Sequence, residues 1–401
     1  MAYRRWFLRG GQVPTTASAA AVLRVAVLLA AVLIAVGTGL ASASDTSVPG
    51  WRATSEVGSA TTVTYNDSLL AVGTDDAWAD WSGCGPDCQG GSTFTVSHWN
   101  GRSWRNLPWP ASLHPYQDAI REVSAIGATS AGDLWLFKDN GKTAGVLRWN
   151  GKSWSVSQIP SWALRVNGSG GFNVVPVISG PRSGWVFSLD YLFGPTPDIA
   201  AREVNGRWEK VDLGGVPVGA SADGASDIWL MLGKGDTPPV TPKYTLLHWD
   251  GHRWHSLAAP EVAVPRNATD YLSMVAVSGP RSVWISATIV GRDGSNLVRL
   301  LHWNGEVWSR VTTLPDGVYS PAPDGQGGFW AAGIPAHSNA WYFYHYSDGR
   351  WSSRRVPGDG TAPAGQVHAL ALVPGSTSML AAGDVNFPPD GVVGATWQYG
   401  R

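Results

Sequence analysis

A short aromatic hairpin signature recurs along this chain and limits it to a closed or stacked array of like units. It is an aromatic residue, then Asn-Gly or Asp-Gly, a short gap and a Trp. Copies run His98-Trp99-Asn100-Gly101-Arg102-Ser103-Trp104, Arg148-Trp149-Asn150-Gly151-Lys152-Ser153-Trp154 and, one residue shorter, Val204-Asn205-Gly206-Arg207-Trp208. They continue as His248-Trp249-Asp250-Gly251-His252-Arg253-Trp254, His302-Trp303-Asn304-Gly305-Glu306-Val307-Trp308 and His345-Tyr346-Ser347-Asp348-Gly349-Arg350-Trp351. Asn-Gly and Asp-Gly reach positive φ at low cost, so each copy predicts a tight β-hairpin. Flat aromatic side chains on either side suit the strands.

A second motif lies upstream of each hairpin: a turn, then Trp among small or aliphatic residues. It places Trp78, Trp135, Trp185, Trp229, Trp284 and Trp330 in series, with Leu380 in the seventh place, at intervals of 44 to 57 residues. A short apolar segment precedes each, such as Leu69-Leu70-Ala71-Val72 or Ala369-Leu370-Ala371-Leu372. One repeat therefore reads as four strands, and four-stranded units at a period of about 40 to 50 residues are the blades of a β-propeller. The fold class predicted is all-β, a seven-bladed propeller of four-stranded antiparallel blades.

The seventh repeat stops inside its hairpin, at Trp397-Gln398-Tyr399-Gly400-Arg401. Its missing Trp strand stands near the start, at Trp51-Arg52-Ala53-Thr54. Joined, the two pieces align residue for residue with Tyr346 to Trp351. The N-terminal strand should thus close the last blade and leave no open sheet edge.

Ahead of that strand, residues 1–43 read as an export signal. Arg4, Arg5, Arg9 and Arg24 precede or begin an apolar run from Val25 to Leu40, and Ala41-Ser42-Ala43 offers small residues for cleavage. The run is about 16 residues, short of the roughly 20 that span a bilayer, so membrane attachment would require an uncleaved signal. Arg4-Arg5-Trp6-Phe7-Leu8-Arg9 has the form of a twin-arginine signal, with ordinary secretion the other route. The propeller domain is placed at 44–401, exported to the cell surface or beyond. The chain carries 29 Lys and Arg against 30 Asp and Glu, four of the arginines in the leader, and no basic stripe, so nucleic acid is excluded as a partner. With 44% hydrophobic residues and 23 Trp, the chain is also no disordered tail.

The two motifs resemble those of secreted actinobacterial β-propeller proteins, which carry Trp-Ala-x-Gly followed by His-Trp-Asn-Gly-x-x-Trp in each blade. Phe329-Trp330-Ala331-Ala332-Gly333 and His302-Trp303-Asn304-Gly305 match best, and the resemblance spans residues 51 to 401. It implies architecture, not activity. More distantly the chain looks like kelch and galactose-oxidase propellers, and its hairpin is similar to the sialidase Asp-box without the Ser-x-Asp of that motif. A copper radical site like that of galactose oxidase would need a Cys cross-linked to Tyr beside the metal. The only cysteines lie in Cys84-Gly85-Pro86-Asp87-Cys88, a spacing that predicts one small loop disulfide in an exported protein.

His98, His248, His302 and His345 occupy one blade position, filled by Arg148, Arg202 and Thr396 in the other three. A position repeated around a ring reads as scaffold, so no metal or other cofactor is expected. No phosphate loop or catalytic motif appears. The clue to function is loop length. The first-to-second and third-to-fourth strand turns are short, whereas the other two connections vary and must emerge together on the opposite face. Binding residues concentrate on such loops. That face collects Trp81, Trp109, His114, Tyr116, Trp162, Arg165, Asp190, Tyr191, Asp270, Tyr271, Asn386 and Phe387. The expected function is non-catalytic recognition of a glycan or an extracellular protein by a monomer. A polysaccharide hydrolase or lyase using loop carboxylates, and a purely structural surface protein, are the alternatives.

Overall fold

The computed structural model describes residues 50–401 except 58–62, 85–91, 108–121, 140–143, 161, 164–172, 190–198, 235–242, 266–267, 292–294, 316, 336–337, 358–364, 388–390 and 401. The leader 1–43 lies outside the described residues. The molecule is a seven-bladed β-propeller. Blade 1 comprises strands Val63–Gly73, Asp76–Cys84, Ser92–Trp99 and Trp104–Asn106. Blades 2 to 6 each repeat this four-stranded antiparallel meander. Blade 7 is built from Gln366–Leu372, Met379–Phe387, Gly391–Gly400 and, from the other end of the chain, Gly50–Val57. The first strand of every blade contacts the first strand of the next, which closes the ring and lines its axis. Blades 7 and 1 are also bridged by a parallel pair, Val63 with Val392.

Each blade is covered on both faces by its neighbours, which explains the apolar content of the second strands. Trp78 packs towards blade 2, against Ile126 and Leu136. Trp81, three residues on and therefore on the other face, packs against Val373, Leu380 and Ala382 of blade 7. Large side chains at such inter-blade seams supply most of the burial.

The hairpin signature works in two ways. In blades 3 and 6 it forms two-residue turns, with positive φ at both Asn205 and Gly206 and at both Asp348 and Gly349. In blades 1, 2, 4 and 5 four residues separate the paired Trp residues, and only the Gly has positive φ. There the Asn or Asp contributes through its side chain. Oδ1 of Asn100 accepts the backbone N–H groups of Arg102 and Ser103 at 3.1 and 3.0 Å, and Asn150, Asp250 and Asn304 do the same. The expected hairpin is present in these four as well, with the positive φ carried by the Gly alone. The side chain of an Asx residue can satisfy the turn instead of its backbone.

The terminal closure is present, but two residues out of the expected alignment. Trp51 stands opposite Tyr399, and Ala53 opposite Trp397. Tyr399, not Trp397, thus takes the place of Tyr346, which stands opposite Trp351. The position shared by the histidines is accordingly held in blade 7 by Gln398, opposite Leu380, and not by Thr396. With no covalent turn between strands three and four, cross-strand packing sets this register. Trp51 lies flat on Phe343 at 3.7 Å and edge-on to Trp330 at 5.3 Å.

Candidate functional site

Two faces of the ring carry different chemistry. On the short-turn face the histidines meet the second-strand tryptophans with centroids 3.8 to 4.4 Å apart: His248 on Trp229, His302 on Trp284 and His345 on Trp330 are stacked, and His98 lies tilted by 45° on Trp78. Nε2 of His98, His248 and His345 meets a carboxylate of its own blade, on Asp76, Asp227 and Asp324 respectively, at 2.8 to 2.9 Å. His302 meets the Ser282 hydroxyl at 3.2 Å. In blade 2, Arg148 lies 3.9 Å over Trp135 and reaches Glu203 of blade 3 at 2.6 Å. These contacts tie the first-to-second turn to the third strand, and the imidazoles are spent within the scaffold.

On the opposite face the residues expected from sequence are distributed unevenly. Trp81 is 1% exposed and donates Nε1–H to the Ser97 hydroxyl at 3.1 Å. Placing it on a ligand surface was incorrect, because both faces of its strand are covered by neighbouring blades. Trp162 is exposed and Tyr271 half-buried. Asp270 is buried, at the start of the innermost strand of blade 5, and burial raises its carboxyl above the ordinary range. Asn386 and Phe387 lie at the end of the second strand of blade 7. Trp109, His114, Tyr116, Arg165, Asp190, Tyr191 and Cys88 lie outside the described residues, and with Cys88 the expected disulfide to Cys84.

A cluster that sequence reading did not single out joins the innermost strands of blades 6 and 7. The innermost strand of blade 7 carries one extra residue between Val367 and Ala369 relative to its partner strand, namely His368. A bulge of this kind re-aims a side chain out of the ladder. Across from Gln366 stands Asp384, 1% exposed, with Oδ2 2.5 Å from Nε2 of His368. The contact is close without being an aligned hydrogen bond, and neither carboxylate oxygen of Asp384 has a hydrogen-bond partner among the described residues. The His368 side chain keeps 34% of its surface open. Gly383 permits this close seating, since a Cβ there would collide with the Gln366 carbonyl.

Blade 6 contributes from the adjoining strand. Between Tyr319 and Ala322 two residues, Ser320 and Pro321, stand against the single Ala331 of the partner strand, one residue in excess, and Ser320 has φ 50°. A non-glycine residue there costs about 1–3 kcal/mol and persists only where its surroundings hold it. The Ser320 hydroxyl donates to the His368 carbonyl at 3.1 Å, joining the two bulges. Tyr319 beside it is 61% exposed. Both bulges lie towards the end of the innermost strands from which the variable loops spring. The result is a partly open imidazole beside a buried carboxylate, with an exposed tyrosine one residue from the serine that bonds the His368 carbonyl. Two departures from the repeat mark it in the sequence. Val367-His368-Ala369 breaks an apolar inner strand, and Asp384 follows Ala-Ala-Gly where blade 6 has Ile334.

No family model matches the chain, and no curated protein matches it. Solved structures with a similar trace include an oligogalacturonate lyase in complex with manganese, at 10% identity and TM-score 0.49, covering 88% of this chain and 96% of that one. The β-propeller domain of the Trilobed protease from Pyrococcus furiosus is similar at 7% identity and TM-score 0.49, covering 84% and 93%. The SapL1 lectin in complex with α-methyl fucoside is similar at 13% identity and TM-score 0.41, covering 79% and 98%. At these identities the likeness concerns the fold and assigns no activity to this chain.

Proposed function

We propose that this chain is an exported binding protein that recognises a glycan, or a glycan-bearing protein, at the variable-loop mouth of its channel. The supporting observation is the contrast at blades 6 and 7: a fully buried Asp384, an open His368 and an open Tyr319. Sugars need directional hydrogen bonds and a flat apolar face, and a rigid ring offering both at its axis suits that task. Glycan-array screening followed by calorimetry on the best hit tests it. His368→Ala and Tyr319→Ala should each weaken binding by roughly tenfold, as loss of one good hydrogen bond or stacking contact does. Unchanged affinity in both variants, or no glycan bound at all, would refute the reading.

The same pair supports a second reading, a polysaccharide lyase. His368 would take the proton on the carbon next to a uronate carboxylate, the C–O bond on the adjacent carbon would break with the leaving sugar oxygen taking up a proton from water, and a double bond would form between those two carbons. An unsaturated product from an acidic polysaccharide, absent with His368→Ala, would favour catalysis over binding alone.

A further inference from the structure

At the position facing the second-strand Trp, blade 3 sets an arginine with no Asp two residues before that Trp, whereas blade 5, which has Ser282 there, carries His302 bonded to that serine, and blade 6, with Gly328 there, pairs His345 with Asp324. In blades 1, 2 and 4 the residue two before the Trp is an Asp: Asp76, Asp133 and Asp227. Blade 3 has Ser183 there, and its basic residue is Arg202. The Arg202 guanidinium lies 5.0 Å from the ring of Trp185 and 5.1 Å from that of Trp249 in blade 4. Among the described residues it has no carboxylate, carbonyl or hydroxyl partner, unlike Arg148, which is matched by Glu203 at 2.6 Å. Aromatic faces hold a guanidinium in place without consuming its N–H donors.

Beside Arg202 is a cavity of about 260 Å³ at the seam of blades 3 and 4, also lined by Ser179, Ser183, Ser226 and Trp249. Three acids lie nearby: Glu209 stands directly opposite Arg202 on the outer strand but forms no ion pair with it, Glu203 lines the cavity, and Asp227 keeps one carboxylate oxygen without a hydrogen-bond partner among the described residues. Glu203 is buried on Arg148, and Asp227 accepts from the Trp229 indole N–H and meets His248. A further cation, Arg182, lies against Gly206 on the same edge. The seam therefore holds an unmatched positive charge, preset donors and room for one small group.

We propose that this seam is an oxyanion site, taking a carboxylate or sulfate group of an acidic ligand on Arg202 with the serine hydroxyls around it. A planar guanidinium matches a carboxylate in two-point fashion, and the cavity is just below the size that accepts a whole drug-sized molecule. The site lies on the short-turn face, away from His368, and stands or falls independently of the function proposed above.

Titration of the ¹⁵N-labelled protein with sodium glucuronate and, separately, sodium sulfate tests the assignment through the indole resonances of Trp185 and Trp249. Glucose serves as the neutral control. Saturable shifts with either anion and none with glucose are expected. Saturation by sulfate as well as glucuronate identifies a general oxyanion site, and by glucuronate alone a carboxylate site. Arg202→Gln should weaken binding by about tenfold or more. Ser183→Asp rebuilds the carboxylate of blades 1, 2 and 4, so it should abolish anion binding while leaving the melting temperature undiminished. Absence of saturable shifts, or binding retained in either folded variant, overturns the proposal.

Discussion

Trp51→Ala removes the side chain by which the N-terminal strand is keyed into blade 7. Trp51 is 7% exposed, lies flat on Phe343 with centroids 3.7 Å apart, and meets Trp330 and Tyr399 at 5.3 and 5.7 Å. Two routes give its worth. Trp→Ala in a core costs about 3–5 kcal/mol. Burial of about 150–250 Å² at roughly 25 cal/mol/Å² gives about 4–6 kcal/mol as an upper figure. Taking about 4 kcal/mol, and about 2.1 cal/mol/K of unfolding entropy per residue across the roughly 350 residues of the unit Pro49–Arg401, the melting temperature should fall by about 5–6 °C. Trp51→Phe keeps a ring on Phe343 and should recover about half of that. Trp162→Ala, at an exposed ring, should change it by less than about 1 °C. Scanning calorimetry on the three variants decides the matter. An unaltered transition in Trp51→Ala would mean that the outer strand is not part of the cooperative ring.

Three further outcomes follow from the same contacts. Glu203→Ala leaves Arg148 uncompensated at a buried seam and should cost about 3–5 kcal/mol, read in a denaturant titration. Replacing both residues by Met should recover most of it, because two apolar side chains need no partner. Burial lifts the Tyr244 hydroxyl to about 12, helped by the charges of Asp270 and Tyr271 and opposed by its bond to the Leu272 backbone. A phenol with its folded value raised above 10 contributes stability below pH 10 that is lost as pH rises towards 12. Tyr244→Phe should therefore flatten the alkaline limb of the stability profile, and an unchanged limb would contradict the burial. Burial also lowers the His302 imidazole below its ordinary value of 6.5. Its neutral form stabilises the fold above that value, and the contribution fades as pH falls below it. His302→Gln should make stability between about pH 5 and 7 less acid-sensitive in thermal melts, with unaltered acid sensitivity the refuting result.

Legibility in the sequence followed the range of each interaction. The turns could be read because Asn205-Gly206 and Asp348-Gly349 carry their conformation within two residues. The second strands could be read because a Trp among small or aliphatic residues recurs in six of the seven blades, with Leu380 in the seventh. Trp81 was misread because its burial depends on Val373, Leu380 and Ala382, nearly three hundred residues away in sequence and one blade away in space. His368 and Asp384 were missed because each is an unremarkable polar residue until a bulge in one strand sets it against the other. Of the variable-loop residues, Trp162 is exposed and Tyr271 half-buried, and most of the others lie outside the described residues.

By itself the sequence determined the number of blades, the place of each short turn and the joining of both chain ends in one sheet. These are periodic and local properties, set by turn chemistry and by the alternation of apolar strands. Only the tertiary structure decided the two-residue register of Gly50–Val57 on Gly391–Gly400, the burial of Trp81, and the meetings of His368 with Asp384 and of Arg202 with two tryptophans. Those depend on how far one strand slides along another and on what the next blade presents. Cross-strand and inter-blade packing fix both, and no local pattern encodes them.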